Sequence, residues 1–362
     1  MKRFTGFEHG MGIGGWLTNY KRFNVLPDDR RLCLTIGDME HFAGYITERD
    51  IRYIASLGMD HIRLGFDQIV IEASPFVYRE ETLAHIDAFI GWCEKHGLNV
   101  VLNLHKAVGN YCDIREEVAL LDDDELQERF ISLWTMLEQR YAGHTGIAFE
   151  LLNEVRDVDP EKWNALAEKT VLALRRLNQT RTLIIGSTCW NNPGTLNKLR
   201  LFDDDHIVYT FHMYAPFEFT HQRGVLQPGP LYYNREMPYP GDIERYRDYQ
   251  RTVCGNPAAY PGFERMDIDY IRGCLQPAAD FVKLHPDKIL WCGEFGTIRH
   301  ANIQWRENWM RDVITVLLEN GIPYCVWNYL STPNDGNRFS LVDDDTRGIL
   351  SGAMAEIIRG AV

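Results

Sequence analysis

No Cys-x-x-Cys pair occurs among the eight cysteines of this 362-residue chain (Cys33, Cys93, Cys112, Cys189, Cys254, Cys274, Cys292 and Cys325), and no spacing between them suggests a zinc site. Cys292 and Cys325 lie inside apolar runs, where a free thiol behaves as a small hydrophobe, and the whole pattern fits a reducing compartment. No run approaches the roughly 20 apolar residues of a membrane helix. The N-terminal stretch Met1–Gly10 opens with Lys2 and Arg3 but has no apolar segment behind them, so it does not read as a signal peptide. The expectation is a cytoplasmic protein, or a secreted one from which a leader has been removed. Positive charge is scarce: 38 Lys and Arg against 51 Asp and Glu leave a formal charge of −13, which opposes a polyanion. Neither nucleic acid nor a membrane is expected as a partner, and a neutral substrate suits the chain better. A usable phosphate-binding Gly-x-Gly-x-x-Gly is also missing, because glycine-rich Gly10–Gly15 leads into a polar loop and not a helix.

What the chain has is apolar residues, 45% of the total, arranged in a repeating grammar. Short apolar runs read as buried parallel strands: Gly12–Leu17, His61–Phe66, Val100–His105, Ile147–Leu152 leading to Glu154, Thr182–Ser187, His206–Tyr214, Ile289–Cys292 leading to Glu294, and Ile322–Tyr329. Amphipathic segments between them predict helices from Thr47, from Thr82, after Asp122–Glu125, from Pro160, over Asp267–Leu284 with a kink at Pro277, and around Trp305–Leu317. The aspartate run reads as a helix N-cap and not a metal site. Eight strands alternating with helices predict an α/β fold, a single-domain (β/α)8 TIM barrel over residues 1–362. An open doubly wound sheet is the competitor, weakened by the missing glycine fingerprint. After the sixth strand Ala215–Met266 is rich in Pro, Gly and Tyr with little periodicity, and a loop that long is expected to be a lid or binding wall.

The polar residues at the strand ends form one constellation: Arg63, His105, Asn153, Glu154, His212, Tyr214, Glu294 and, with them, Trp327. Packing has no use for such groups in core strands. An ion pair with arginine explains one buried glutamate, but not this whole set at consecutive strand ends. In a barrel the C-terminal mouth is where chemistry is done, and two glutamates facing each other across it are equipment for cleaving a glycosidic bond.

These residues carry a resemblance. The chain resembles glycoside hydrolase family 5, the cellulase family of clan A, whose pattern is an Asn-Glu pair ending the fourth strand and a Glu ending the seventh. Asn153-Glu154 and Glu294 in Gly-Glu-Phe-Gly match it, as do Arg63, His105, His212-x-Tyr214, Trp327 and, at the first strand, Gly14-Gly15-Trp16-Leu17. Two positions depart from it: Gly65 stands where members often have proline, and Asn103 where they often have aspartate. The resemblance implies a retaining mechanism with Glu294 as nucleophile and Glu154 as acid/base, and no metal or cofactor. It also implies that Asn153 bonds the sugar 2-hydroxyl, that His105 and His212 position substrate and carboxylates, and that Trp327 lies under the reacting sugar. Arg63 and Tyr214 would favour ionised Glu294, while a drier site and the neighbouring negative charge would hold Glu154 protonated.

Rings beyond the needs of packing point the same way, and Trp16, Tyr111, Trp190, Phe217, Tyr232 and Tyr233 are candidate sugar-stacking positions, with core packing as the alternative for each. A metal-dependent hydrolase is a rival on this fold, but His9 is followed by Gly10 and Met11, so the His-x-His of an amidohydrolase's first strand is absent. A non-catalytic sugar-binding protein is a second rival, expected to lack one of the glutamates. For substrate, the expectation is an endo-β-1,4-glucanase-like activity on soluble β-glucan. β-Mannanase, exo-β-1,3-glucanase and β-glucosidase activities stay open.

Overall fold

The computed structural model describes residues 2–19, 34–110, 118–332 and 335–361. Tyr111 lies outside them. Eight strands close into a barrel: β1 His9–Leu17, β2 His61–Asp67, β3 Asn99–Lys106, β4 Ile147–Glu150, β5 Thr182–Gly186, β6 Ile207–Met213, β7 Ile289–Phe295 and β8 Tyr324–Val326. They run in sequential order around the ring, every neighbour parallel, with β8 closing on β1. The expected (β/α)8 barrel is the observed one.

Period-2 alternation explains how the interior is layered. Along β3 the inward residues are Val101, Asn103 and His105; along β4, Ala148 and Glu150; along β6, Val208, Thr210 and His212. Val101, Ala148 and Val208 sit at the closed end in one apolar cluster with Phe4, Phe7, Ile184, Ile289, Trp291 and Cys325. Phe4 and Phe7 stack at 4.3 Å, and the edge of Phe4 meets Trp291 at 6.2 Å, so the N-terminal segment plugs the barrel floor. Two residues further along each strand the same face has turned polar. The strands are therefore apolar below and chemical above.

The outer faces pack on helices, the first of which, α1 (Ile36–Gly44), falls in a stretch where no helix was expected. Thr35 and Thr47 form capping boxes with Asp38 and Asp50 at the heads of α1 and α2 (Glu48–Ser56). After α3 (Glu80–Lys95), Asp123 accepts from the Leu126 amide at the head of α4 (Asp124–Tyr141), the capping role expected of the aspartate run. Helices α5 (Pro160–Arg175), α6 (Ile268–Leu284, with Pro277 inside), α7 (Ile303–Glu319) and α8 (Gly352–Ile358) complete the layer. Between β5 and β6 the crossover is reduced to a short 3-10 turn, Pro193–Lys198. Among the described residues no helix is long and apolar enough to cross a membrane.

Ala215–Met266 is more ordered than its lack of periodicity implied. It holds the short helices Phe217–Thr220, Pro228–Tyr233 and Ile243–Tyr249, a π-turn Gln250–Cys254, and a ribbon pairing Gly241–Asp242 with Arg265–Met266. Pieces of one or two turns are too short to show a helical period, and this segment is anchored by buried rings instead. Tyr239 donates to Asp312 on α7 at 2.8 Å, Trp309 of α7 donates to the Ala215 carbonyl at 3.0 Å, and buried Glu218 accepts from Gln250 and Tyr260.

Candidate active site

Register irregularities gather at the C-terminal ends of β1, β3 and β7, and one of them makes the site. Cys292 pairs with Phe211 and Glu294 with His212, so Gly293 is an extra residue in β7. The bulge puts Glu294 in register beside His212, and both side chains point into the mouth. Glycine is required there, because a Cβ on Gly293 would lie 2.6 Å from Thr210 Oγ1.

The opposite wall solves a related problem differently. Consecutive strand residues point to opposite faces, yet Asn153 and Glu154 both face the mouth. Strand β4 stops at Glu150, short of the run expected from the sequence; the Asn153 amide then bonds the Leu104 carbonyl at 2.9 Å, and Glu154 turns left-handed at φ 45°. Such a backbone is uncommon outside glycine and is held by its surroundings.

Arg63, fully buried on β2, ties the floor of the site together. Its Nε and Nη2 donate to the two oxygens of Glu150 at 2.5 and 2.9 Å, Nη2 also donates to Asn153 Oδ1 at 2.8 Å, and Nη1 donates to Glu294 Oε1 at 2.5 Å. Tyr214 donates to the other oxygen of Glu294 at 2.8 Å. His212 Nδ1 lies 2.9 Å from Glu154 Oε1 and 3.6 Å from Glu294 Oε2. His105 stacks on Trp327 with ring centres 5.4 Å apart, its Nδ1 2.9 Å from Asn103 Oδ1 and its Nε2 3.1 Å from Asn19 Nδ2. One oxygen of Glu154, one of Glu294 and a ring nitrogen of His212 all lie within 4.8 Å of one another.

The two carboxylates sit in opposed electrostatic surroundings. Burial raises the pKa of Glu154 above the ordinary carboxylate value, the bond from His212 pulls the other way, and the negative charge of Glu294 adds to the rise. Burial alone would raise Glu294 as well, but the neighbouring His212, the Arg63 guanidinium, His105 and the Tyr214 hydrogen bond outweigh it and bring it down to about 2. The surroundings thus favour the acid form of Glu154 and the anion of Glu294.

Eight sequence-predicted residues, Arg63, His105, Asn153, Glu154, His212, Tyr214, Glu294 and Trp327, converge on this mouth. Two aromatic expectations are corrected. Trp16 is 1% exposed, donates its indole N–H to the Phe42 carbonyl at 2.8 Å and packs on Phe89, so no ring face is left for a sugar. Tyr233 is buried with its hydroxyl on Asp248, whereas its neighbour Tyr232 is 77% exposed. Phe217 is half-buried and stacked on His221 at 4.2 Å. Trp190 is 40% exposed at the end of β5, with the Arg156 guanidinium 5.5 Å over its ring. Glu150 was missed by sequence reasoning. Its signal was available: a charge at an inward position of an otherwise apolar strand demands a buried partner, and Arg63 was already on the list of candidates.

A closed parallel barrel with two unlike carboxylates this close across its mouth defines a class, the retaining glycoside hydrolases, in which the two groups are only about 5 Å apart. The chain belongs to the cellulase family, glycosyl hydrolase family 5, whose model matches residues 31–332. It is 38% identical over 332 residues to endoglucanase C of Acetivibrio thermocellus, covering 90% of this chain and 92% of that one. It is 29% identical over 327 residues to cellodextrinase A of Ruminococcus flavefaciens, covering 89% and 85%. Among solved structures, an endoglucanase superposes with a TM-score of 0.72 at 20% identity over 98% of this chain and 97% of that one. Thermotoga maritima Cel5A in complex with cellobiose does so with a TM-score of 0.70 at 23% identity over 97% of each chain. At those identities the structural likeness bears on the fold.

Proposed function

We propose that the protein is an endo-acting β-1,4-glucanase that hydrolyses soluble β-glucan chains by double displacement, with Glu294 as nucleophile and Glu154 as acid/base. The observation that carries this reading is the carboxylate pair with oxygens within 4.8 Å, one in surroundings that favour the anion and one in surroundings that favour the acid. An inverting pair needs about 6.5 to 9.5 Å to seat a water between them. The match over 92% of the length of relatives named endoglucanase supports the glucan assignment.

In the first step ionised Glu294 attacks the anomeric carbon while Glu154 gives its proton to the departing oxygen. In the second, Glu154 takes a proton from water, which displaces the sugar from Glu294. Arg63 and Tyr214 hold both oxygens of the nucleophile, fixing its attack direction. Asn153 offers the sugar 2-hydroxyl its Nδ2–H, a buried donor with no partner among the described residues. Trp327 and His105, stacked together, form the platform under the reacting sugar, and Trp190 is placed to stack on a neighbouring one. No metal and no cofactor enters this scheme.

Azide rescue tests the roles. Glu154→Ala should still form the glycosyl-enzyme from a dinitrophenyl glycoside, whose leaving group needs no proton, and azide should then give the β-glycosyl azide after two inversions. Glu294→Ala should give the α-azide after one. The opposite pairing would mean that acid and nucleophile are exchanged, and rescue of neither would remove the mechanism. A screen over carboxymethylcellulose, mixed-linkage glucan, mannan, laminarin and aryl glycosides tests the substrate, with highest activity expected on the first two.

A further inference from the structure

Behind His212 stands a residue that the mechanism above does not use. Asn191 is fully buried just past β5, and its Nδ2 lies 3.1 Å from His212 Nε2, on the side of the ring away from the carboxylates. Its other amide atom, Oδ1, has no partner among the described residues. The backbone goes to some length to place this side chain. Cys189, Trp190 and Asn191 are consecutive residues with φ of 57°, 57° and 54°, a left-handed run stitched to the loop bearing Glu154 by the bonds Cys189 N–H to Arg156 O (3.1 Å) and Trp190 N–H to Val155 O (2.9 Å). Room for the amide exists because Gly186 has no side chain: a Cβ there would lie 2.6 Å from Asn191 Oδ1.

A neutral imidazole carries one proton on one of its two nitrogens, and the partner of the second nitrogen decides which. An amide N–H directed at Nε2 requires a lone pair there, so the proton must sit on Nδ1, the nitrogen 2.9 Å from Glu154 Oε1 and 3.6 Å from Glu294 Oε2. We infer that Asn191 is a positioning residue for acid/base catalysis: it holds His212 as the Nδ1–H tautomer, so that a hydrogen bond and not a full positive charge is presented to Glu154. The groups facing the ring are Glu154, Glu294, Asn191 and the edge of Tyr214, with Arg63 behind Glu294. During glycosylation the negative charge passes from Glu294, which becomes an ester, to Glu154, which has lost its proton. A single N–H between the two carboxylates serves whichever is charged. An imidazolium would stabilise ionised Glu154 from the start and weaken it as an acid. The inference rests on the assignment of Glu154 as acid/base.

Asn191→Asp tests it while keeping the side-chain size and a residue type that accepts the left-handed backbone. An aspartate accepts but does not donate, so it should draw a proton onto Nε2, charge the ring, and move the alkaline limb of kcat/KM down by about one pH unit. Asn191→Ala should lower kcat/KM about ten-fold on a glycoside with a basic leaving group, out of the ~10²–10⁴ that acid/base catalysis supplies, and less than about three-fold on a dinitrophenyl glycoside. Nitrogen-15 histidine NMR should find His212 protonated on Nδ1 and bare at Nε2 in the wild type. Protonation at Nε2 in the wild type, an unmoved alkaline limb in the Asp variant, or equal losses on both glycosides in the Ala variant would overturn the inference. If the Glu154 assignment itself were wrong, Glu154→Ala would show no selective loss on the basic leaving group, a result independent of any Asn191 variant.

Discussion

Replacing Glu150 by glutamine probes the residue that sequence reasoning overlooked. Its carboxylate receives two of the Arg63 N–H groups, in a bidentate arrangement in which both partners are fully buried. Glutamine keeps the volume but offers one acceptor, and its amide N–H would face an N–H of Arg63. Removing one partner of a buried ion pair destabilises by about 3–5 kcal/mol, and because Arg63 retains Glu294 as a counter-charge the low end, about 3 kcal/mol, applies. With an unfolding entropy of about 2.1 cal/mol/K per residue, 362 residues give roughly 0.76 kcal/mol/K, so the expected fall in Tm is about 4 °C. Arg63 also aims Glu294, so kcat should fall about ten-fold as well, while the carboxylate separation is kept. Glu138→Gln supplies the control. Glu138 is paired with Arg181 through bonds of 2.7 and 3.2 Å, equally buried, but between α4 and the start of β5 and away from the mouth. With no second carboxylate on Arg181 among the described residues, it should lose at least as much stability, with kcat unchanged. Thermal melts and steady-state kinetics on one preparation of each protein decide the matter. A Tm shift under about 1 °C for Glu150→Gln, or an equal kcat loss in both variants, would refute the reasoning.

Activity on the best glucan should follow a bell-shaped pH curve whose acid limb lies below pH 4, set by Glu294 at about 2, and whose alkaline limb lies above the ordinary carboxylate value, set by Glu154; a flat profile across mildly acidic and neutral pH would contradict the pair. Stability follows the same shifts with opposite signs: Glu294, lowered on folding, contributes above its unfolded value of about 4.5 and loses that contribution as pH falls towards about 2, whereas Glu154, raised on folding, contributes below about 4.5 and loses it as pH rises through its folded value. Denaturation of Glu154→Gln across pH should therefore show a smaller decline on the alkaline side than the wild type. Gly293→Ala should cost about 1–3 kcal/mol through the clash with Thr210 and lower kcat about ten-fold or more by displacing Glu294, and a fully active variant would show that the bulge does not aim the nucleophile. Tyr232→Ala should raise KM for long glucans at unchanged Tm, while Tyr233→Ala should lower Tm by losing its packing on Tyr249 and its bond to Asp248; the reverse pattern would exchange their roles.

How much of this was legible in the sequence depends on the range of the interaction involved. Parallel barrel strands are buried on both faces, so their apolar runs stand out locally, and the barrel order followed from counting them. The proposed catalytic set stood out because polar residues at the ends of such runs have no packing explanation. What stayed hidden was set by contacts distant in sequence. Trp16 counted as a ligand ring because the chain has more rings than packing needs, and only the Phe42 carbonyl 26 residues away shows that its N–H is already used. The short helices of Ala215–Met266 are stabilised by tyrosines and a buried glutamate reaching one another and α7, and no window of local periodicity reports that.

The same distinction explains why two glutamates reach the mouth by different devices. A strict two-residue alternation can point one side chain of each adjacent pair inward, yet this chemistry asks for Asn153 and Glu154 together on one side and for Glu294 beside His212 on the other. Each demand breaks the strand rule once, by a left-handed residue after β4 and by an inserted glycine in β7. Both breaks fall where the strand ladder is ending and the fewest backbone bonds are lost, which is why the mouth and not the floor of a barrel can carry them. The floor keeps its alternation and its apolar plug, and the buried Arg63 joins the two regions by pairing Glu150 below with Glu294 above. Stability and catalysis are therefore coupled through one guanidinium, and a perturbation of Glu150 should be felt in both, whereas one at Glu138 should be felt in stability alone.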